Sequence, residues 1–150
     1  MGRFRWGKTV GALVTVVTVA AVGGCSSPDG TSTAKPAAVK TVSVVDATST
    51  FKAAVEEFDA TGGCTDAEPG TCWEQMQALM EPARTLRKAM NAEKSVGPEF
   101  WTDAYALIDK MEKGIAVGED KGATAVGTNR PDVFGSAHEL SDWLDQNPVS

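Results

Sequence analysis

The chain has 150 residues, 42 % of them hydrophobic and 23 % charged, which suits one packed domain with accessory segments. Three basic residues, Arg3, Arg5 and Lys8, stand at the very start; without them 11 basic residues face 20 acidic ones, a net charge of −9. An acidic body of this kind is repelled by polyanions and by anionic lipid headgroups, so nucleic acid is set aside as a partner and surface charge is set aside as a means of membrane attachment.

The first segment reads as an address. "MGRFRWGK" carries the three positive charges, and "TVGALVTVVTVAAV" follows with 14 residues and no charge. A basic stretch, a short apolar run and then small residues make the layout of a secretory signal peptide. The apolar run is shorter than the roughly 20 residues of a membrane span. At its end stands Val22-Gly23-Gly24-Cys25.

That tetrapeptide resembles the lipobox of bacterial lipoproteins, in which an aliphatic residue and two small ones precede an invariant cysteine. The resemblance implies that Cys25 is lipidated, that residues 1–24 are removed, and that the protein is held by a lipid anchor on the extracytoplasmic face of the cell membrane. Val22 and Gly23 depart from the commonest choices at their positions. A single acyl chain anchors weakly, and two or more hold durably. Cysteine arithmetic supports the reading. The chain has three cysteines, Cys25, Cys64 and Cys72, and an odd count in an exported protein leaves one thiol over. Lipidation of Cys25 leaves an even pair, whereas ordinary cleavage near Ala20-Ala21-Val22-Gly23 would release a soluble protein with an unpaired thiol. Residues 25–42 then read as the lipidated cysteine and a disordered tether, with Ser, Thr and Pro throughout and Val39 as the large apolar side chain of residues 26–41.

From residue 43 to 150 the pattern predicts an all-α domain, a small bundle of about four helices. Val44, Thr48, Phe51, Val55 and Phe58 step at helical spacing, with Asp46 or Ser49 as the expected cap and Gly62-Gly63 as the stop. A second helix is expected from Thr71, where Thr71 and Glu74 suggest a capping box. Its stripe, Cys72, Met76, Leu79, Ala83, Leu86 and Met90, stays in phase across Pro82, which favours one kinked helix over two. Pro98 opens a third, with Phe100, Trp101, Ala104, Leu107, Ile108, Met111 and Ile115 on its apolar face. "GATAVGTN" reads as a loop. The last helix is expected from near Asn129, with Val133, Ala137, Leu140 and Leu144 facing inward. Four one-sided helices bury their stripes only against each other.

Cys64 and Cys72 close a nine-residue ring between the first two helices. Export favours a disulfide there, contributing about 2.5 kcal/mol by loop entropy. Two free buried thiols are the alternative. The spacing matches no common zinc pattern.

The search for chemistry yields little. The sole histidine, His138, has Asp142 one turn later where a zinc-protease motif would have a second histidine, and is expected at the surface or in a helix cap. Met76 and Met80 lie one turn apart, as in Cu(I) carriers, but methionine on an apolar stripe is usually core. "VGEDKG", residues 117–122, lacks the spacing of a phosphate loop, and Glu56, Glu57 and Asp59 read as a solvated helix face. Trp6 goes with the signal. Trp73, Trp101 and Trp143 read as core edge, with an aromatic docking surface as the sharper option.

No catalytic residue, cofactor site or metal site is assigned, and no enzyme is expected. The expected function is a non-catalytic, lipid-anchored helical module that binds a protein or another envelope component. The alternative is a small-ligand or metal carrier. As a whole the chain resembles small secreted lipoproteins of actinobacterial-type envelopes, on its lipobox, its Ala/Gly/Val/Asp-rich composition and the closing "VFGSAHELSDWLDQNP". That resemblance implies no activity.

Overall fold

A computed structural model describes residues 41–149. The expected signal peptide, Cys25 and most of the expected tether lie outside the described residues. Helix α1 spans Val44–Ala60 and is capped by Ser43, not by Asp46 or Ser49. The Ser43 hydroxyl accepts the Asp46 N–H at 3.1 Å and donates to the Asp46 carboxylate at 2.7 Å. Burial of Val44 draws the helix start forward, which leaves Ser43 as the last extended residue and so the only one placed to cap. Val44, Ala47, Phe51 and Val55 form its buried face. The helix closes in the two-bond glycine turn: the Gly63 N–H donates to Phe58 O at 2.8 Å and the Gly62 N–H to Asp59 O at 2.9 Å.

Helix α2 runs unbroken over Trp73–Ala92, through Pro82. The carbonyl that loses its partner there belongs to Ala78, an exposed residue, so the loss falls on the solvent side of the helix. The predicted stripe of Met76, Leu79, Ala83, Leu86 and Met90 is buried, joined by Met80 and Ala89. The Thr71–Glu74 capping box does not form. The Thr71 hydroxyl donates instead to Glu68 O, 2.8 Å away, and Cys72, the capping residue, makes no side-chain cap.

A 3₁₀ turn, Pro98–Trp101, leads into α3, Thr102–Ile115, which buries Ala104, Ile108 and Met111. A wide π turn, Pro131–Gly135, leads into α4, Ser136–Gln146, which buries Ala137, Leu140 and Leu144. The expected start near Asn129 holds for the entry to this last element, but its first turn is π rather than α. Among the described residues there is no strand, and no helix is long and apolar enough to cross a membrane.

Cross-helix pairs give the direction of each helix. Lys52 meets Asp145 while Asp59 meets His138, so α1 and α4 are antiparallel. Arg84 with Glu112 and Arg87 with Asp109 set α2 against α3, and Lys110 with Glu139 and Lys113 with Asp132 set α3 against α4. These exposed pairs contribute little stability, but they record the register. The four helices enclose one apolar core, with Phe51, Leu79, Leu86, Ile108, Met111 and Leu140 at 0–1 % exposure. An up-down-up-down bundle of this kind has two distinct ends. Loops 61–72 and 116–129 share one. The entry to α1, the α2–α3 connection and the last residues of α4 share the other.

Candidate functional site

The loop end holds a buried polar cluster. Asp120 is 1 % exposed and Arg130 6 % exposed. The guanidinium grips the carboxylate with two bonds, Nε to Oδ1 and Nη2 to Oδ2, each 2.8 Å. The Cys72 N–H donates to Oδ2 at 3.0 Å and the Gly122 N–H to Oδ1 at 2.9 Å. Each carboxylate oxygen thus accepts two hydrogen bonds, which fills it. The rest of the guanidinium reaches across to the facing loop: Nη1 donates to Asp66 O, and Nη2 lies 2.9 Å from Glu68 O and 3.1 Å from Thr71 Oγ1. Main-chain bonds complete the join, from the Gly70 N–H to Asp120 O and from the Ala123 N–H to Ala67 O. Asn129, 2 % exposed, ties the second loop to α3 through bonds to Gly114 O and Glu119 O, each 2.8 Å.

Two further features brace this end. Cys64 and Cys72 stand at disulfide distance, with Cα atoms 5.7 Å apart. Gly122 has φ +84°, and a Cβ there would lie 2.7 Å from Ala67 O and 2.9 Å from Pro69 N, so only glycine lets the two loops approach.

The electrostatics follow from the geometry. The Arg130 hydrogen bonds, with those from the Cys72 and Gly122 N–H groups, outweigh burial and hold the Asp120 carboxyl far below the usual carboxylate range. The Asp120 hydrogen bonds raise Arg130 in turn, against desolvation. A carboxylate so low and so fully bonded is no proton acceptor at ordinary pH. What this arrangement does chemically is to hold the two loops in one fixed geometry.

His138 lies partway along the α1–α4 seam. Its Nε2 is 2.9 Å from Asp59 Oδ1 and its Nδ1 2.8 Å from Phe134 O. The Phe58 and Phe134 rings stack beside it with centroids 4.7 Å apart. Burial lowers its pKa, but the Asp59 and Phe134 hydrogen bonds and the charges of Asp59 and Asp142 raise it to above the ordinary histidine value. Asp59 is therefore a partner of the histidine rather than part of a merely solvated face.

The other candidates are dispersed. Met76 and Met80 are buried in the core at 0 % and 1 % exposure. Trp101 is 2 % exposed, so it is core and not core edge or docking surface. It forms an aromatic group at the far end of the bundle with Phe100 and Trp143, at centroid distances of 4.8 and 5.9 Å. Its indole N–H has no acceptor among the described residues. A cavity of about 250 Å³ lies there, lined by Val44, Lys52, Trp101 and Leu144 among others. That is below the size range of pockets that enclose drug-sized ligands. Among the described residues no three His, Cys, Asp or Glu side chains are grouped to hold a metal ion. Sequence reasoning met Asp120 only within "VGEDKG" and Asn129 only as a helix start, and gave neither them nor Arg130 a place in a site. The available signal was an acid of the Glu119-Asp120 pair and a lone arginine ten residues on, in a stretch of small residues with almost nothing apolar to bury around them.

No protein-family model, curated protein or solved structure matches this chain.

Proposed function

We propose that this chain is a non-catalytic, lipid-anchored module of the extracytoplasmic face of the cell membrane. It binds a protein or another envelope component through its clamped loop end. The observation that carries the reading is the placement of the Asp120–Arg130 clamp. It braces loops 61–72 and 116–129 at the end of the bundle opposite the point where the chain enters α1. The two loops expose Thr65, Asp66, Ala67 and Glu68 on one side and Ala123, Thr124, Ala125 and Val126 on the other, with Val126 fully exposed. Loops already fixed in one geometry lose little entropy on binding. A lipid anchor with a tether raises the local concentration of the module next to its neighbours.

The test is photo-crosslinking in cells from position Val126, with the exposed Asp103 at the opposite end as the comparison. A reproducible adduct from Val126 and none from Asp103 is expected. Adducts confined to Asp103, or no adduct from Val126, would sink the reading. The anchor has its own measurement: the membrane fraction should contain a mature protein that begins at an acylated Cys25. An unmodified N-terminus on protein found in the medium overturns that part.

A further inference from the structure

We propose that the His138–Asp59 pair is a pH-operated latch on the α1–α4 seam, closed while the imidazole carries both protons and loosened when it loses one. The argument begins with the two ring nitrogens. Each faces an acceptor, Phe134 O at 2.8 Å and Asp59 Oδ1 at 2.9 Å. A carbonyl and a carboxylate oxygen only accept, and a neutral imidazole has only one N–H to give. In the neutral ring one nitrogen lone pair would therefore face an oxygen lone pair at hydrogen-bond distance. The site is built for the imidazolium.

The neighbouring charges point the same way. Asp59 is the next-to-last residue of α1, whose last turn holds no basic residue. A carboxylate there meets the negative end of the helix dipole. His138 supplies from α4 the positive charge that α1 lacks. The charged groups that face the ring are Asp59 from α1 and Asp142 from its own helix, both negative. The basic residue that α3 extends toward α4 at this level, Lys110, is turned to Glu139 at 3.9 Å. The other ion pair of the seam, Lys52 with Asp145, lies toward the opposite end. His138 is the chain's only histidine, and histidine alone among side chains has an ordinary titration between pH 5 and 8.

The position gives the latch its consequence. Asp59 accepts the Gly62 N–H through its carbonyl, and Gly62 begins the turn into loop 61–72. Phe134 lies in the π turn that follows the Arg130 clamp. Both partners of the histidine are thus hinged to the braced loops. The folded pKa is raised, so the contribution of the latch is complete below the ordinary histidine value of about 6.5. It is lost as pH rises through the folded value.

The experiment uses the full chain, in which one histidine gives one set of ring resonances. The His138 titration midpoint is expected above about 6.5 and should fall in Asp59→Asn. Hydrogen exchange of amides 59–63, corrected for the intrinsic pH dependence, should accelerate as pH passes through the midpoint. In His138→Gln that step should vanish while the rest of the exchange pattern stays unchanged. A midpoint at or below the ordinary value, no fall in Asp59→Asn, or a step that persists in His138→Gln would each overturn the proposal.

Discussion

The two ends of the bundle are held by opposite means. At the aromatic end, Phe100, Trp101 and Trp143 pack edge against face, and the order comes from apolar area and ring geometry. One polar atom there, the Trp101 indole N–H, is buried without an acceptor among the described residues. Within the two loops of the other end Cys72 is the one buried apolar side chain, and the order comes from a carboxylate and a guanidinium that bond each other and the surrounding backbone. The first end tolerates an imperfect polar contact because area carries it. At the second the loops themselves bury little apolar area, so a single broken charge pair should release them. A loop end built this way is costly to maintain for connections that a few glycines would make, which is what makes it a candidate for function rather than simple closure.

The largest effect should therefore come from the clamp. Asp120→Asn leaves the Arg130 guanidinium buried without its counter-charge, and removal of one partner of a buried pair costs about 3–5 kcal/mol. Denaturant unfolding should show that loss, and a loss under 1 kcal/mol would mean that the two ends do not differ as described. The same carboxylate sets the acid limit. Its folded pKa is depressed, so its contribution is complete above about pH 4, the unfolded value, and is lost as pH falls below it. Asp120→Asn should flatten the acid side of the stability profile.

Next comes the cysteine pair. Changing both Cys64 and Cys72 to Ser should cost about 2.5 kcal/mol by the loop-entropy argument. Combined with Asp120→Asn it should cost less than the sum, since both hold loop 61–72. Full additivity would show that clamp and cysteine pair act on separate parts. Free thiols at both positions in the purified protein would remove the disulfide altogether.

The aromatic end should respond more gently. Trp101→Phe deletes the unpartnered N–H along with part of a ring, two effects of opposite sign, and should change stability by no more than about 1.5 kcal/mol. A loss as large as that of Asp120→Asn would erase the contrast between the ends. The smallest change is Ser43→Ala, which removes the α1 cap for about 1 kcal/mol and touches neither the ring cluster nor the clamp.

The helices were legible because their signal is local. A stripe such as Met76, Leu79, Ala83, Leu86 and Met90 recurs every three or four residues, and its burial needs no knowledge of the partner helix. Pro82 could be read through for the same reason, since the stripe keeps phase on both sides. Caps were less legible. Ser43 and Asp46 form the capping pair, but Asp46 and Ser49 looked equally able, and the choice depends on where burial of Val44 starts the helix. Thr71 had the right spacing to Glu74 and was claimed instead by Glu68 and Arg130.

The residues of the candidate site belong to the other category. The sequence alone was enough to define an all-α domain, the number of its helices, the inward faces and the pairing open to Cys64 and Cys72, because periodicity and short-range spacing are written along the chain. Only the tertiary structure joined Asp120 to the Cys72 N–H, Arg130 to the carbonyls of Asp66 and Glu68, and His138 to Asp59 from 79 positions away. Those partners lie on different loops and helices, and a charge carries no periodicity to announce what it will meet. Their meeting was decided by how four apolar stripes pack, which brings the ends of the helices together and leaves the polar residues there to satisfy one another.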